Sequence, residues 1–319
     1  MQTTCSEKQP WHLHLVLDLV CLIGFVSLLK LSSRLFDWVF TRFVLHPKPL
    51  KSYGSWALVT GATAGIGRAF AHELAKHGLN LILVSRNPTK LESVAQQFHQ
   101  EFPNTKIKII PFDFSSEEEP STRYKAIEEA IKGVDVGILI NNVGITYPKA
   151  MFFHEVEEET WKEIIRVNVE GTTWVTRHVI GGMLQRRRGA IVNISSGAGV
   201  VVSSHPLYAI YAATKCYIDT LSKCLHVEYK QFGIDVHCQV PLYVATGMVS
   251  KVANVDGPSL FTPSPEMYAK AAIGMIGIRP RCSPFWAHSL QWFLVQLLPE
   301  FVVDSWRLSI GLRRRNLIF

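Results

Sequence analysis

Charged residues are scarce in this chain. They make up 18% of its 319 residues, against roughly 25% in an average soluble protein. Apolar residues reach 48%, which excludes a disordered chain, a collagen and a coiled coil. None of the six cysteines stands in a C-x-x-C pair, and no Cys/His group has zinc-ligand spacing. The twelve histidines include no H-x-x-x-H pair. The pattern fits reduced thiols facing the cytosol and predicts no metal. Internal repeats and low-complexity tracts are also missing. What is present is apolar: the mean hydropathy of +0.14 is high for a soluble enzyme and points to residues that face lipid.

The ends of the chain carry that signal. Residues 13–29 have only His14, Asp18 and Ser27 as clearly polar members. These 17 residues just suffice to span a bilayer core of ~30 Å. The first ten residues lack a basic region, and no small-x-small site follows, so the reading is an uncleaved anchor at 1–31 rather than a signal peptide. The net charge is 33 − 26 = +7. Lys30, Arg34, Arg42, Lys48 and Lys51 face a single acid, Asp37, in a basic juxtamembrane linker at 32–53, rich in Pro and Lys from His46 to Gly54. This excess of positive charge after the anchor places the body on the cytosolic side. Together with Arg313-Arg314-Arg315 it indicates a lipid bilayer rather than a nucleic acid as partner. Arg186-Arg187-Arg188 reads as a solvated loop before a strand. Residues 285–303 are apolar but interrupted by His288, Gln291, Gln296, Pro299 and Glu300, which predicts a helix on the membrane interface or packed on the body.

Between the ends, apolar Trp56-Ala57-Leu58-Val59-Thr60 precedes Gly61-Ala62-Thr63-Ala64-Gly65-Ile66-Gly67. A helical pattern over 68–77 stops at Gly78, and a second strand is predicted at 81–84. Strand, glycine loop, helix and strand form a βαβ unit whose turn lets backbone approach a pyrophosphate. The helix start adds free N–H groups for the phosphates. Further strands are predicted at 107–112, 136–140, 190–194 and 234–240. The alternation implies an α/β fold, a doubly wound parallel sheet of the Rossmann type, with ligands beyond the carboxyl ends of its strands. Gly61, Thr63, Gly65, Ile66 and Gly67 are the candidate cofactor loop. Asp113 and Asn141 end two strands, where each borders the adenine or ribose or caps a turn. No acid lies between Leu79 and Lys90, where a site for NAD usually puts one. Arg86 stands there, with Arg68 just past the loop as a second candidate. A guanidinium suits a 2′-phosphate, so NADPH is the expected cofactor.

Tyr211-Ala212-Ala213-Thr214-Lys215 sets a phenol and an ammonium one helical turn apart. A neighbouring cation stabilises a phenolate and is expected to lower the tyrosine pKa from ~10. Tyr208 and Tyr217 have no lysine at this spacing. Ser196 ends the strand at 190–194, and Asn168 lies on a helix before it. Five ordered motifs, T-G-x-x-x-G-I-G at 60–67, N-N-x-G at 141–144, Asn168, Ser196 and Y-x-x-x-K at 211–215, resemble the short-chain dehydrogenase/reductase family over roughly residues 54–245. The resemblance implies a catalytic tetrad of Asn168, Ser196, Tyr211 and Lys215, with Tyr211 and Lys215 also touching the cofactor. It implies that Tyr211 gives a proton, Ser196 holds the carbonyl oxygen, and Asn168 holds a water.

Within that family, Tyr53-Gly54-Ser55-Trp56-Ala57, Asp135 to Asn142, Lys223 to Tyr229 and Gln239 to Thr246 resemble the plant very-long-chain 3-oxoacyl-CoA reductases. These are NADPH-dependent, membrane-anchored reductases of the endoplasmic reticulum that act in fatty-acid elongation. The resemblance implies an acyl-CoA substrate and other elongation enzymes as partners. It divides the rest of the chain into an NADP-binding catalytic domain at 54–244 and a substrate lid with a membrane-associated amphipathic segment at 245–319. Three departures stand out: Pro241-Leu242 where the broad family has Pro-Gly, Val143 where it has Ala, and a longer segment between Ser196 and Tyr211. The same tetrad would also serve a 17β-type hydroxysteroid dehydrogenase, and a reductase-like membrane scaffold would keep the fold with little turnover.

Overall fold

The computed structural model describes residues 11–43, 45, 47–253 and 257–316. The first ten residues of the anchor, with Cys5, residues 254–256 of the lid segment and residues 317–319 lie outside the described residues. The chain divides into two units, Met1–His46 and Pro47–Phe319.

The first unit contains one helix, α1 (Trp11–Phe43), of 33 residues. No Pro or Gly follows Gly24 before Pro47, so the helix runs past position 31 into the segment expected as linker. Its stretch His14–Phe40 has a mean hydropathy of 2.2 and is long and apolar enough to cross a membrane. Leu22, Phe25 and Leu28 on it are exposed, as lipid-facing side chains are.

The second unit is built on one sheet. Its strands are β1 (Trp56–Thr60), β2 (Asn80–Ser85), β3 (Ile107–Pro111), β4 (Val136–Asn141), β5 (Gly189–Ile194), β6 (Ile234–Gln239) and the two-residue β7 (Arg281–Cys282). Their order is β3-β2-β1-β4-β5-β6-β7, and every pair is parallel. Six of the seven strands match the apolar runs of the sequence to within a residue or so at each end; β7 is too short to have a pattern.

Side chains alternate across this sheet, and both faces are covered. Ala57, Val59, Ile138, Ile140 and Val192 point into a core with α2 (Gly65–Lys76) and α3 (Pro88–Glu101). Leu58, Leu139, Ile191 and Val236 point into the opposite core. After β3 come α4 (Pro120–Arg123) and α5 (Lys125–Ile131), and Tyr124 between them and Ile127 on α5 join that second core. Past β4, α6 (Glu158–Ile165) leads through a π turn at Arg166–Glu170 into α7 (Gly171–Arg186), whose Val175, Val179 and Met183 complete that layer. Burial on both faces is why the strands read as nearly unbroken apolar runs. Each fully buried Leu or Ile contributes about 1.5–3 kcal/mol.

Several sequence expectations shift. Helix α2 starts at Gly65 rather than Arg68, because the glycines themselves form its first turn. It ends as expected at Gly78: the Gly78 N–H donates to Ala75 and the Leu79 N–H to Leu74, with Gly78 at φ +78°. The basic cluster before β5 is not simply solvated. Arg186 and Arg188 both pair with Asp135, at 3.0 and 3.1 Å, and tie that turn to the start of β4.

After β5 come α8 (Gly197–Val200), α9 (Ala209–Tyr229), α10 (Gly247–Ala253) and α11 (Pro265–Ile273). The apolar segment at 285–303 is two helices rather than one, α12 (Trp286–Val295) and the first turns of α13 (Glu300–Asn316). Pro299 has no N–H to continue α12, and its carbonyl accepts from Val302 and Val303 at the start of α13. Both helices bury one side: Ala287 and His288 from α12, Val303, Arg307 and Gly311 from α13. Leu290, Leu294, Leu297, Leu298, Phe301 and Trp306 remain exposed.

Candidate active site

The strand order reverses between β1 and β4, and the site lies at their carboxyl ends, where a doubly wound sheet opens a crevice. Gly61 at φ +65° and Gly65 at φ +54° carry the chain through the turn in the left-handed region. Gly67 is required for another reason. A Cβ there would lie 2.3 Å from the Gly61 carbonyl oxygen and 2.4 Å from Asn142 Nδ2. Ala64 precedes α2 in extended conformation without a side-chain cap. The first-turn N–H groups are therefore left for a ligand. This is a cradle for a pyrophosphate, and it fits a nicotinamide dinucleotide.

At the end of β2, Thr63 Oγ1 and Ser85 Oγ share a hydrogen bond of 3.0 Å. The two candidate arginines differ. Arg68 donates to Gln97 Oε1 on α3 at 2.6 Å. Arg86 is exposed and makes no hydrogen bond or ion pair with the described residues.

The end of β4 separates the two adjacent asparagines. Asn141 is buried, and its Nδ2 donates to Thr176 Oγ1 and Asn193 Oδ1, both at 2.8 Å. Its side chain faces away from the crevice. Asn142, Val143 and Gly144 line the cavity instead. Asn142 Nδ2 donates to the Thr60 carbonyl at 3.0 Å, and Thr60 Oγ1 accepts from the N–H groups of Asn142 and Val143. Thr60 and Asn142 thus bolt the glycine loop to β4. Asp113 is exposed and caps a turn, accepting from the Ser115 N–H and hydroxyl; it does not line the cavity.

The four tetrad residues come from three elements, the π turn, the start of α8 and α9, and converge. Asn168 sits in the π turn, which widens the helix and turns its side chain inward; such bulges recur at functional sites. It is fully buried, accepts from the Ile145 N–H at 2.8 Å, and donates to the Ile145 carbonyl and Thr214 Oγ1. Gly144 makes room for this meeting: a Cβ there would be 3.2 Å from Lys215 Nζ and 3.3 Å from Asn168 Oδ1. Lys215 is buried, and its ammonium donates to the Ile194 carbonyl at 3.0 Å and lies 5.9 Å from the centre of the Tyr211 ring. Ser196 begins α8 and hydrogen-bonds the Tyr211 phenol.

The electrostatics depart from the sequence expectation. Burial pushes the Tyr211 phenol above the ordinary tyrosine value, against the lowering effect of its bond to Ser196. Burial also pulls Lys215 down to about 8. Desolvation outweighs the cation here, because the ammonium is shared with a backbone carbonyl and is itself stripped of water. Tyr211 is thereby held protonated at neutral pH, as an acid.

Ser196, Tyr211, Lys215 and the glycine loop line one cavity of about 470 Å³, and Asn168 is buried behind its wall. Away from the sheet its wall is completed by Met248, Val249 and Val252 of α10, Gln291 and Val295 of α12, and Trp306, Arg307 and Arg314 of α13. Much of this wall thus comes from beyond residue 282. Helix α13 is fastened to the segment between Ser196 and Tyr211: Ser203 and Ser204 donate to Asp304 at 2.7 and 2.6 Å. Gly311 lies against Leu207, which is held at φ +65°. Arg315 makes a two-pronged pair with Glu155. The additional length noted in that segment is where α13 docks.

Residues 55–256 match the short chain dehydrogenase family. The chain is 73% identical to a very-long-chain 3-oxoacyl-CoA reductase-like protein of Arabidopsis thaliana over 319 residues, 99% of this chain and 100% of that one. It is 42% identical over 253 residues to the human inactive hydroxysteroid dehydrogenase-like protein 1, covering 79% of this chain and 75% of that one. It is 38% identical over 251 residues to the human very-long-chain 3-oxoacyl-CoA reductase, covering 78% and 77%. Among solved structures, a short-chain dehydrogenase from Sphingobium yanoikuyae in complex with NADPH is 26% identical and superposes with a TM-score of 0.65, over 76% of this chain and 92% of that one. With the parallel sheet, the glycine cradle and the converged tetrad, these likenesses establish that the chain belongs to the short-chain dehydrogenase family and is an oxidoreductase.

Proposed function

We propose that this protein reduces 3-oxoacyl-CoA to 3-hydroxyacyl-CoA with NADPH, as the ketone-reducing step of very-long-chain fatty-acid elongation, on the cytosolic face of the endoplasmic reticulum membrane. The observation that carries this reading is that Ser196, Tyr211 and Lys215 line the cavity that the glycine loop closes, with Asn168 buried behind them and bonded to Thr214. The names of the Arabidopsis and human relatives support the acyl-CoA substrate. Arg86 at the end of β2, exposed and without a neighbouring acid, supports NADPH.

When bound, the reduced nicotinamide supplies the hydride. The protein handles the oxygen and the proton. Ser196 donates a hydrogen bond to the ketone oxygen, and Tyr211 gives its proton to that oxygen as negative charge develops there. Lys215 holds positive charge beside the phenol and steadies the phenolate left behind. Asn168 fixes Gly144 and the loop beside Lys215 through its bonds to Ile145, and orders the water that returns a proton. Thr60 and Asn142 position the loop without touching the ketone.

Helix α1 serves as the anchor in this reading. The exposed apolar face of α12 and α13 adds a second membrane contact beside the cavity, which lets an acyl chain pass from lipid to Tyr211.

The likeness to a relative named inactive favours a second reading, a fold of this kind that binds NADPH with little turnover. The deciding experiment follows NADPH oxidation by membranes containing the full chain. It compares 3-oxoacyl-CoA of graded length with a 17-ketosteroid and uses NADH as the cofactor control. The proposal expects turnover on the acyl-CoA series with NADPH preferred. Turnover confined to the steroid, or NADPH binding with no turnover on any ketone, sinks it.

A further inference from the structure

The part of the cavity wall that α13 supplies carries two arginines that take no part in moving hydride or proton. Arg307 is 8% exposed and Arg314 is half-buried. They lie seven residues apart on α13, about 10 Å along its axis. The pair therefore runs from the inner wall toward the rim. Tyr243 lies beside both guanidiniums, whose charges pull its phenol below the ordinary tyrosine value against the effect of burial. Arg314 Cζ lies 5.3 Å from the centre of that ring.

The partners of these arginines are all neutral. An Nη of Arg307 donates to His205 Nδ1 at 2.8 Å. Burial, reinforced by the charges of Arg307 and Arg314, holds His205 down at about 3, so its ring accepts this bond as the neutral form. The Nε of Arg307 is buried with no hydrogen-bond partner among the described residues. Neither arginine has a carboxylate within salt-bridge distance among the described residues, while their neighbour Arg315 pairs with Glu155. Asp304, one turn before Arg307, is committed to Ser203 and Ser204.

A buried cation without a counter-charge is strongly disfavoured, and an unpartnered N–H adds to the cost. An anion with several acceptor oxygens removes both penalties, and a guanidinium fork matches a phosphate in shape. The pair lines the cavity with Tyr211 and stands on α13, not on the loop that cradles the pyrophosphate, and this placement assigns that anion to the substrate rather than to the dinucleotide.

We propose that Arg307, Arg314 and Tyr243 form an anion site that binds a phosphate of the coenzyme A carrier and sets the thioester in register with Tyr211. The site deepens the acyl-CoA reading and rests on it. It gives a chemical basis for substrate choice, since a simple ketone or a steroid offers no such group.

The test uses the full chain in neutral detergent, saturated with NADPH. Calorimetry measures binding of free coenzyme A to the wild type and to Arg307→Met and Arg314→Met. Kinetics compare a 3-oxoacyl-CoA with the same acyl group on N-acetylcysteamine, a thioester without phosphate. The proposal expects each substitution to weaken coenzyme A binding and raise KM for the CoA thioester about tenfold or more. KM for the phosphate-free thioester is expected to move by roughly threefold at most. Equal losses on both thioesters, or unchanged coenzyme A binding, overturn the site. Binding to phosphatidic acid vesicles is the third arm: a loss confined to vesicles names a lipid phosphate as occupant and also overturns it. Arg314→Met, at the half-exposed rim, carries the test if loss of the buried Arg307 unfolds the chain. A wild type that binds coenzyme A through these arginines but turns over neither thioester would overturn the reductase reading and leave the site standing. Turnover of both thioesters, unaffected by either substitution, would do the reverse.

Discussion

The glycine-loop wall of the cavity is made of backbone, and the wall that α13 supplies is made of long side chains. On the loop wall, a methyl group at Gly67 would run into a carbonyl oxygen and an amide that is itself bonded to Thr60. On the α13 wall, a methyl group at Gly311 would meet the tip of Leu207 at 2.9 Å. Backbone cannot step aside, but the end of a leucine can. The first wall suits a partner that is the same in every turnover. The second, built from arginines, Trp306 and the apolar residues of α10, suits partners that vary in length and shape.

The most severe break in this arrangement is expected at the junction of the two walls. Tyr211→Phe removes the acid that both walls serve, and turnover is expected to fall by ~10²–10⁴-fold with NADPH affinity retained. Steady-state rates and a cofactor titration on the purified variant check this; an unchanged rate would remove Tyr211 from the reaction.

Gly67→Ala tests the loop wall. It is expected to destabilise the protein by about 1–3 kcal/mol, the usual cost of overpacking, and to weaken NADPH binding sharply. Thermal unfolding with and without cofactor reads both effects.

Gly311→Ala is the matching change on the other wall and the smallest expected effect. Alanine favours a helix over glycine by about 1 kcal/mol, which offsets the displacement of Leu207. The melting temperature is expected to stay close to that of the wild type. If the two alanine variants lose stability equally, the contrast between a rigid and a yielding wall is wrong.

The two walls also differ in how far the sequence reveals them. The loop wall is largely local: Thr60 to Gly67, β1 and β2 lie within one βαβ unit, and their spacing carries the geometry. So does the helical spacing of Tyr211 and Lys215. Asn141 and Asn142 show where local reading fails. Successive side chains on a strand alternate between faces. Asn141 pairs inside the sheet with Asn193, and Asn142 turns to the loop, a choice that depends on register. Spacing reveals the cation near Tyr211 but not the loss of water around both groups, and that loss lifts the phenol above its ordinary value. The α13 wall rests on contacts such as Ser203 with Asp304 and Glu155 with Arg315, separated by 101 and 160 residues. Nothing in a run of amphipathic residues announces that two of its arginines face a cavity.

Leu207 ties the two walls together mechanically. A side chain other than glycine in the left-handed region bears about 1–2 kcal/mol of steric tension, and here the backbone is held by the Met151 N–H while the side chain lies against Gly311. The helix that carries Tyr211 starts only two positions later. Lifting α13 would free that sprung corner and let the front of the Tyr211 helix drift. Seating of α13 and alignment of the proton donor are, by this linkage, one structural condition.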